Sequence, residues 1–83
     1  GEMAFLEALL APEFTCTTGS TVRAREQYLA DVRDDPPTAE REVVAVQHYG
    51  RFAVARSQAG EGCVTDAFVK QGGRWRAVVR HTS

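Results

Sequence analysis

Two residues of this sequence have types and spacing that suggest chemistry, Asp66 and Arg56. Both are charged side chains in alternating apolar runs. Strand alternation places them opposite each other on the apolar face of a sheet. A carboxylate in apolar surroundings is either paired or neutral. Two roles stay open for Asp66: an acid/base or hydrogen-bond donor in a pocket, or half of a buried cross-strand ion pair that fixes register. His81 falls on the same face near Val64. It is either a pocket-rim acid/base near neutral pH or a frayed terminal side chain. His48 falls on the opposite face beside a turn, as a surface or dimer contact. Cys16 and Cys63 lie on different elements and read as small inert hydrophobes. No Gly-rich phosphate loop, Ser/His/Asp arrangement or metal-ligand cluster is present, so no cofactor and no metal are expected.

The elements that must position these residues follow from periodicity. Met3, Leu6, Leu9 and Leu10 share one helical face, and Pro12 ends the run, which predicts a helix over Glu2–Ala11. Phe14–Thr17 reads as a short strand. A second helix is expected over Arg23–Arg33, with Thr21 as N-cap and Tyr28, Leu29 and Val32 as its apolar stripe. Asp34-Asp35-Pro36-Pro37 reads as a loop. From Glu40 the period changes to two. Four strands are expected, Glu40–Gln47, Arg51–Ala59, Gly62–Gln71 and Arg74–Thr82, joined by short Gly-containing links that make every neighbour antiparallel.

Turn positions set the faces. A loop centred on Gly72-Gly73 puts Phe68 opposite Ala77 and Asp66 opposite Val79. One centred on Glu61 puts Arg56 opposite Asp66. One at Tyr49-Gly50 puts Val54 opposite Ala45, and moving it to Gly50-Arg51 changes partners but not faces. The concave face then collects Val43, Ala45, Phe52, Val54, Arg56, Val64, Asp66, Phe68, Trp75, Ala77, Val79 and His81. The convex face collects Val44, Val46, Ala53, Ala55, Ser57, Cys63, Thr65, Ala67, Val69, Arg76, Val78 and Arg80. The concave face carries the large apolar groups and must meet the helices. A pocket there would be lined by Phe14, Tyr28, Phe52, Val54, Arg56, Phe68, Trp75 and Val79, which read equally well as a filled core.

The chain has 83 residues, 43% of them hydrophobic and 25% charged, which is a single globular domain over 1–83. A core this small is marginal alone, and neither disulfides nor metals are on hand to reinforce it. The convex face is too apolar to leave in water, so a homodimer through that outer sheet face is expected. A net charge of −1 gives no electrostatic case for nucleic acid or an anionic membrane. No apolar run approaches a membrane span, no signal peptide is visible, and free thiols fit a reducing cytoplasm.

Leu9-Leu10-Ala11-Pro12-Glu13-Phe14, Gly19 and Arg25-Glu26-Gln27-Tyr28-Leu29 resemble the nuclear transport factor 2-like superfamily. So do Val64-Thr65-Asp66-Ala67-Phe68-Val69-Lys70, Gly73-Arg74-Trp75-Arg76-Ala77-Val78 and His81. The likeness is to its SnoaL-like and bacterial members of no known activity, and it covers nearly the whole chain. It implies an α+β cone: a curved antiparallel sheet on helices, a pocket between them, and pairing through the outer face. The long helix that opens the family is missing, and Glu2–Ala11 matches the second, shorter one. Steroid-isomerase relatives carry a general base just after the first short strand, where this chain has Thr17-Thr18-Gly19. They also carry an Asp at the position of Asp66. Three functions are compatible: a pocket domain for a small apolar ligand, an isomerase, dehydratase or polyketide-cyclase type of enzyme using Asp66, and a structural association module.

Overall fold

The computed structural model describes residues 2–35, 42–59 and 61–82. Helix α1 spans Glu2–Leu9 and strand β1 Leu10–Thr18, followed by β2 at Thr21–Ala24 and α2 at Arg25–Asp34. Strands β3 (Glu42–Tyr49), β4 (Phe52–Ala59), β5 (Gly62–Gln71) and β6 (Arg74–Thr82) complete the chain. The fold is α+β: among the described residues, two helices lie against a six-stranded, open, curved sheet of order β2-β1-β6-β5-β4-β3.

The meander β3 to β6 is antiparallel throughout. The β5–β6 turn falls where the sequence puts it, because Gly72 and Gly73 both take positive φ, 57° and 77°, as a two-residue turn between right-twisted strands requires. Two boundaries near the N-terminus differ from expectation. The α1 helix stops at Leu9, and β1 begins at once with Leu10. Residues Thr21–Ala24 form an edge strand rather than a helix start, so Ala24 and not Thr21 caps α2, without a side-chain hydrogen bond. Thr21 and Val22 instead pair with Thr18 and Thr17 of β1. Pro36, Pro37 and Glu40, assigned above to a loop and a strand start, lie outside the described residues, as does Gly60 of the β4–β5 link.

The expectation of an all-antiparallel sheet is also corrected. Strand β1 lies parallel to β6, pairing Cys16 with Arg80 and Thr17 with His81. No local turn joins these two strands, so no local signal sets their direction.

Faces follow register, and two one-residue differences revise them. Ala59 pairs with Gly62, which makes Ala55, not Arg56, the neighbour of Asp66. Phe52, Val54 and Arg56 therefore turn to the outer face, and Ala53, Ala55 and Ser57 to the inner. In β6 the register shifts between the Ala67 and Phe68 pairings: Phe68 faces Ala77, but Ala67 faces Val79 and Asp66 faces Arg80. Val78 is the extra residue of a bulge. Beyond it Val79 and His81 point outward and Arg80 inward. The β3–β4 turn sits at Gly50-Arg51, so Val54 pairs with Gln47, not Ala45; Val46 and His48 share the inner face with Ala55 and Ala53.

The core lies where the helices meet β1 and β6. Leu10, Phe14, Cys16, Tyr28, Leu29 and Ala77 form it, with Met3, Leu6, Leu9, Val32 and Phe68 packed around them. The helical stripes read from the sequence are the ones that dock.

Candidate functional site

One row of paired residues crosses all six strands on the inner face. It runs Arg23, Cys16, Arg80, Asp66, Ala55, Val46. Its first four members, with Tyr28 from α2 above them, make the site.

Asp66 is the buried carboxylate of this cluster, its side chain 8% exposed against 23% for Arg80. Arg80 grips it with two parallel bonds, Nε to Oδ1 at 2.6 Å and Nη2 to Oδ2 at 3.1 Å. The third guanidinium nitrogen, Nη1, donates to the Tyr28 hydroxyl at 2.8 Å. Burial works against the charge of Arg80. The hydrogen bonds and charge of Asp66 outweigh it and hold the guanidinium above its ordinary pKa. A planar fork matched to a carboxylate is the geometry that arginine supplies and lysine cannot.

Arg23 forms the second half. Its Nη1 donates to Asp31 Oδ2 at 2.9 Å and its Nη2 to Cys16 Sγ at 3.3 Å. Asp31 also accepts from Gln27 at 2.8 Å. The bond from Arg23 and then that from Gln27 hold the Asp31 carboxyl below its usual range, and the same bond to Asp31 raises Arg23. The two guanidinium carbons stand 5.5 Å and 5.9 Å from the Tyr28 ring centroid, both in cation–π range. Phe14 braces the ring at 5.1 Å between centroids. Beside this cluster lies an open cleft of about 460 Å³, lined by Arg23, Tyr28, Asp31, Val32, Asp34, Asp35 and Arg80.

The structure brings together only part of the set read from the sequence. Asp66, Phe14, Tyr28, Phe68 and Trp75 share the inner side. Arg56, expected against Asp66, is exposed on the outer face and pairs with Thr65. His81 is exposed there too, beside Thr65 and Thr17. Phe52 and Val79 are 54% and 40% exposed on that same side, and Val54 lies with them. His48 moves the other way: it is on the inner face, edge-on to Trp75 at 5.9 Å. Arg80, Arg23 and Cys16 are the site members that the sequence reading did not assign. A bulge at Val78 has no sequence signature, and Arg23 sits on the strand read as helix. The usable signal for Cys16 is its strand, since alternate residues of β1, Phe14 and Cys16, are both buried.

The arrangement can bind and orient. Its guanidiniums keep their charge at any ordinary pH, and its buried carboxylate is held in a bidentate pair. Among the described residues, no group of His, Cys, Asp and Glu is placed to hold a metal ion. No described helix is long and apolar enough to cross a membrane.

Comparison with solved structures places this architecture. A nuclear transport factor 2-like protein of unknown function from Silicibacter pomeroyi superposes with a TM-score of 0.82 at 15% identity. The match covers 99% of this chain and 78% of the other. The fold is nuclear transport factor 2-like. A Shewanella frigidimarina protein proposed as a ketosteroid isomerase matches with a TM-score of 0.76 at 22% identity, over 100% of this chain and 82% of that one. A de novo designed protein with a curved β-sheet matches with a TM-score of 0.77 at 10% identity, over 99% of this chain and 82% of the other. No protein-family model matches the sequence, and no curated protein matches it significantly. Identities at this level speak for the fold alone, and a fold does not by itself fix an activity.

Proposed function

We propose that this is a small-molecule-binding domain that acts without turnover and works as a homodimer. The observation that carries the reading is the Asp66–Arg80 pair. Proton transfer at carbon needs a carboxylate free to exchange its proton with substrate. Asp66 instead has both oxygens in bonds to one guanidinium, and releasing it would leave two charges uncompensated in the core. The cleft offers an apolar body for a ligand in the Tyr28 ring and Val32, and hydrogen-bond donors in Arg80 and Arg23. A small molecule with one apolar side against Tyr28 and Val32 and a polar acceptor group towards the arginines suits it.

A thermal-shift screen followed by amide NMR tests this. Ligands that raise the melting temperature are expected to shift the signals of Tyr28, Val32 and Arg80. Hits that move only residues on the outer face would sink the site. The isomerase-type alternative takes its support from the Shewanella frigidimarina neighbour. It wins if a turnover is found that Asp66→Asn abolishes while the protein stays folded.

Support for the dimer comes from the revised outer face. A row runs Gln47, Val54, Ala67, Val79, Thr15 across five strands, flanked by Phe52 and Tyr49, which are 54% and 59% exposed. Compared with the face read from the sequence it gains Phe52, Val54 and Val79, together with Arg56 and His81, and loses Val46, Ala53 and Ala55 to the inner face. Burial of about 1,500 Å² in total would make a standard interface. Ala67→Arg, with a charge at the centre of this row, is expected to give a monomer or an unfolded chain. A stable monomer of the unmutated protein at micromolar concentration in sedimentation would defeat the proposal.

A further inference from the structure

A second cleft, also of about 460 Å³, opens away from Tyr28, where the end of α1 and the start of α2 approach β6. Its lining includes Glu7, Leu10, Arg25, Glu26, Arg74 and Arg76. Three arginines thus meet in one depression of a protein whose net charge is −1. The proposed ligand cleft does not include any of them.

The three differ in how far they are already used. Arg25 is fixed in the wall: Nε donates to the Leu10 carbonyl at 3.4 Å, Nη2 to the Glu7 carbonyl at 2.7 Å and Nη1 to Glu26 Oε1 at 2.9 Å. The two acids are likewise engaged, Glu26 by Arg25 and Glu7 by Arg33 at 3.3 Å. Arg76 is different. Its Nε is buried and has no hydrogen-bond partner among the described residues. A guanidinium N–H taken out of water without an acceptor is costly, and a charged acceptor is the strongest remedy. Arg74 lies two residues away on the same side of β6 and is exposed. The α2 helix starts at Arg25 with no side-chain cap on its first-turn amides, which adds positive potential on this side.

We propose that this cleft binds a phosphate group, with Arg76 as the side-on donor through Nε and an Nη nitrogen and Arg74 as a second, mobile donor. Two oxygens of a phosphate match the arginine fork and satisfy the buried Nε–H. The inference is independent of the Tyr28–Arg80 site: either can fail while the other stands.

The test is titration of the full chain with inorganic phosphate, and separately with glycerol phosphate, against potassium chloride at matched ionic strength. Binding is read by amide and arginine Nε–H NMR. Phosphate is expected to shift Arg76 Nε–H and the amides of Arg25, Arg74 and Arg76. Arg76→Gln is expected to weaken it at least about tenfold, and Arg76→Lys to weaken it too, because lysine keeps the charge but loses the fork. Tighter binding of glycerol phosphate points to a phosphorylated small molecule, and equal binding to free phosphate. The proposal is overturned if chloride reproduces the shifts, or if Arg76→Gln folds normally and binds phosphate unchanged. It is also overturned if Arg76→Gln alters only self-association, which would make Arg76 an interface residue.

Discussion

The inner face of the sheet has two halves built in different ways. Over β1, β2 and β6 the helices supply a lid, and large side chains are buried: Phe14 is 2% and Tyr28 8% exposed. Over β3 and β4 the same face carries small residues, Ala53, Ala55 and Ser57, and Val46 at the end of the row is 52% exposed. Ala53 and Ser57 are buried all the same, at 6% and 5%. A curved sheet can hide a small side chain among its own neighbours, but it cannot hide a large one without a cover. Hydrophobic stabilisation scales with the area removed from water, so the covered half holds the fold together and the other half is held by its ladder.

That contrast can be broken most visibly by truncation. Phe14→Ala is expected to cost about 3–5 kcal/mol, enough to unfold a domain of this size. Val46→Ala, on the same face at the other end, should change stability by about 0.5 kcal/mol or less. Urea denaturation of the two variants measures both, and equal effects would mean that the uncovered half is covered in solution.

A smaller effect is expected from the polar part of the covered half. Asp66→Asn leaves Arg80 charged and half-paired beneath Tyr28, at a cost of about 3 kcal/mol. The double variant Asp66→Leu with Arg80→Met should recover most of it, because two apolar groups need no compensation. If the double variant is no better than the single one, the pair holds the register of the β5–β6 bulge rather than merely balancing charge.

The smallest effect is at the rim of the lid. Asp31 has a folded pKa below its ordinary 3.8. Its pair with Arg23 therefore stabilises fully above that ordinary value, and the contribution is lost as pH falls through the lowered one. An acid titration followed by NMR should loosen α2 before β3 and β4, and Asp31→Asn should remove that order of events. The pair is exposed, so added salt should weaken it as well.

Sequence reading was most reliable where glycines punctuate the chain. Strands β5 and β6 have the expected ends, because Gly62, Gly72 and Gly73 bound them. Phe14, Tyr28 and Leu29 were legible as interior by their apolar periodicity. Asp66 was legible as a carboxylate on an apolar face. Its partner was not, because a strand alternates with period two and one residue more or less reverses every side chain beyond it. The two-residue β4–β5 link and the bulge at Val78 each do this once. Together they remove Arg56 from the inner face and bring in Arg80. The pairing of β1 with β6 left no trace in the sequence, since it joins segments with no shared turn.

That last pairing also dictates when the protein can fold. Leu10 meets Ala77 and Cys16 meets Arg80, so the centre of the sheet is stitched from opposite ends of the chain. On a ribosome, the helices and β1 emerge first and wait for β6 before any core can close. The intervening hairpins can form early, because their partners are neighbours, but until β6 pairs they leave the edge of β5 open as well as that of β3. Long-range closure of this kind is slow relative to local pairing. The vulnerable interval for this protein is therefore the one in which the meander's earlier strands have paired and β6 has not yet closed against β1.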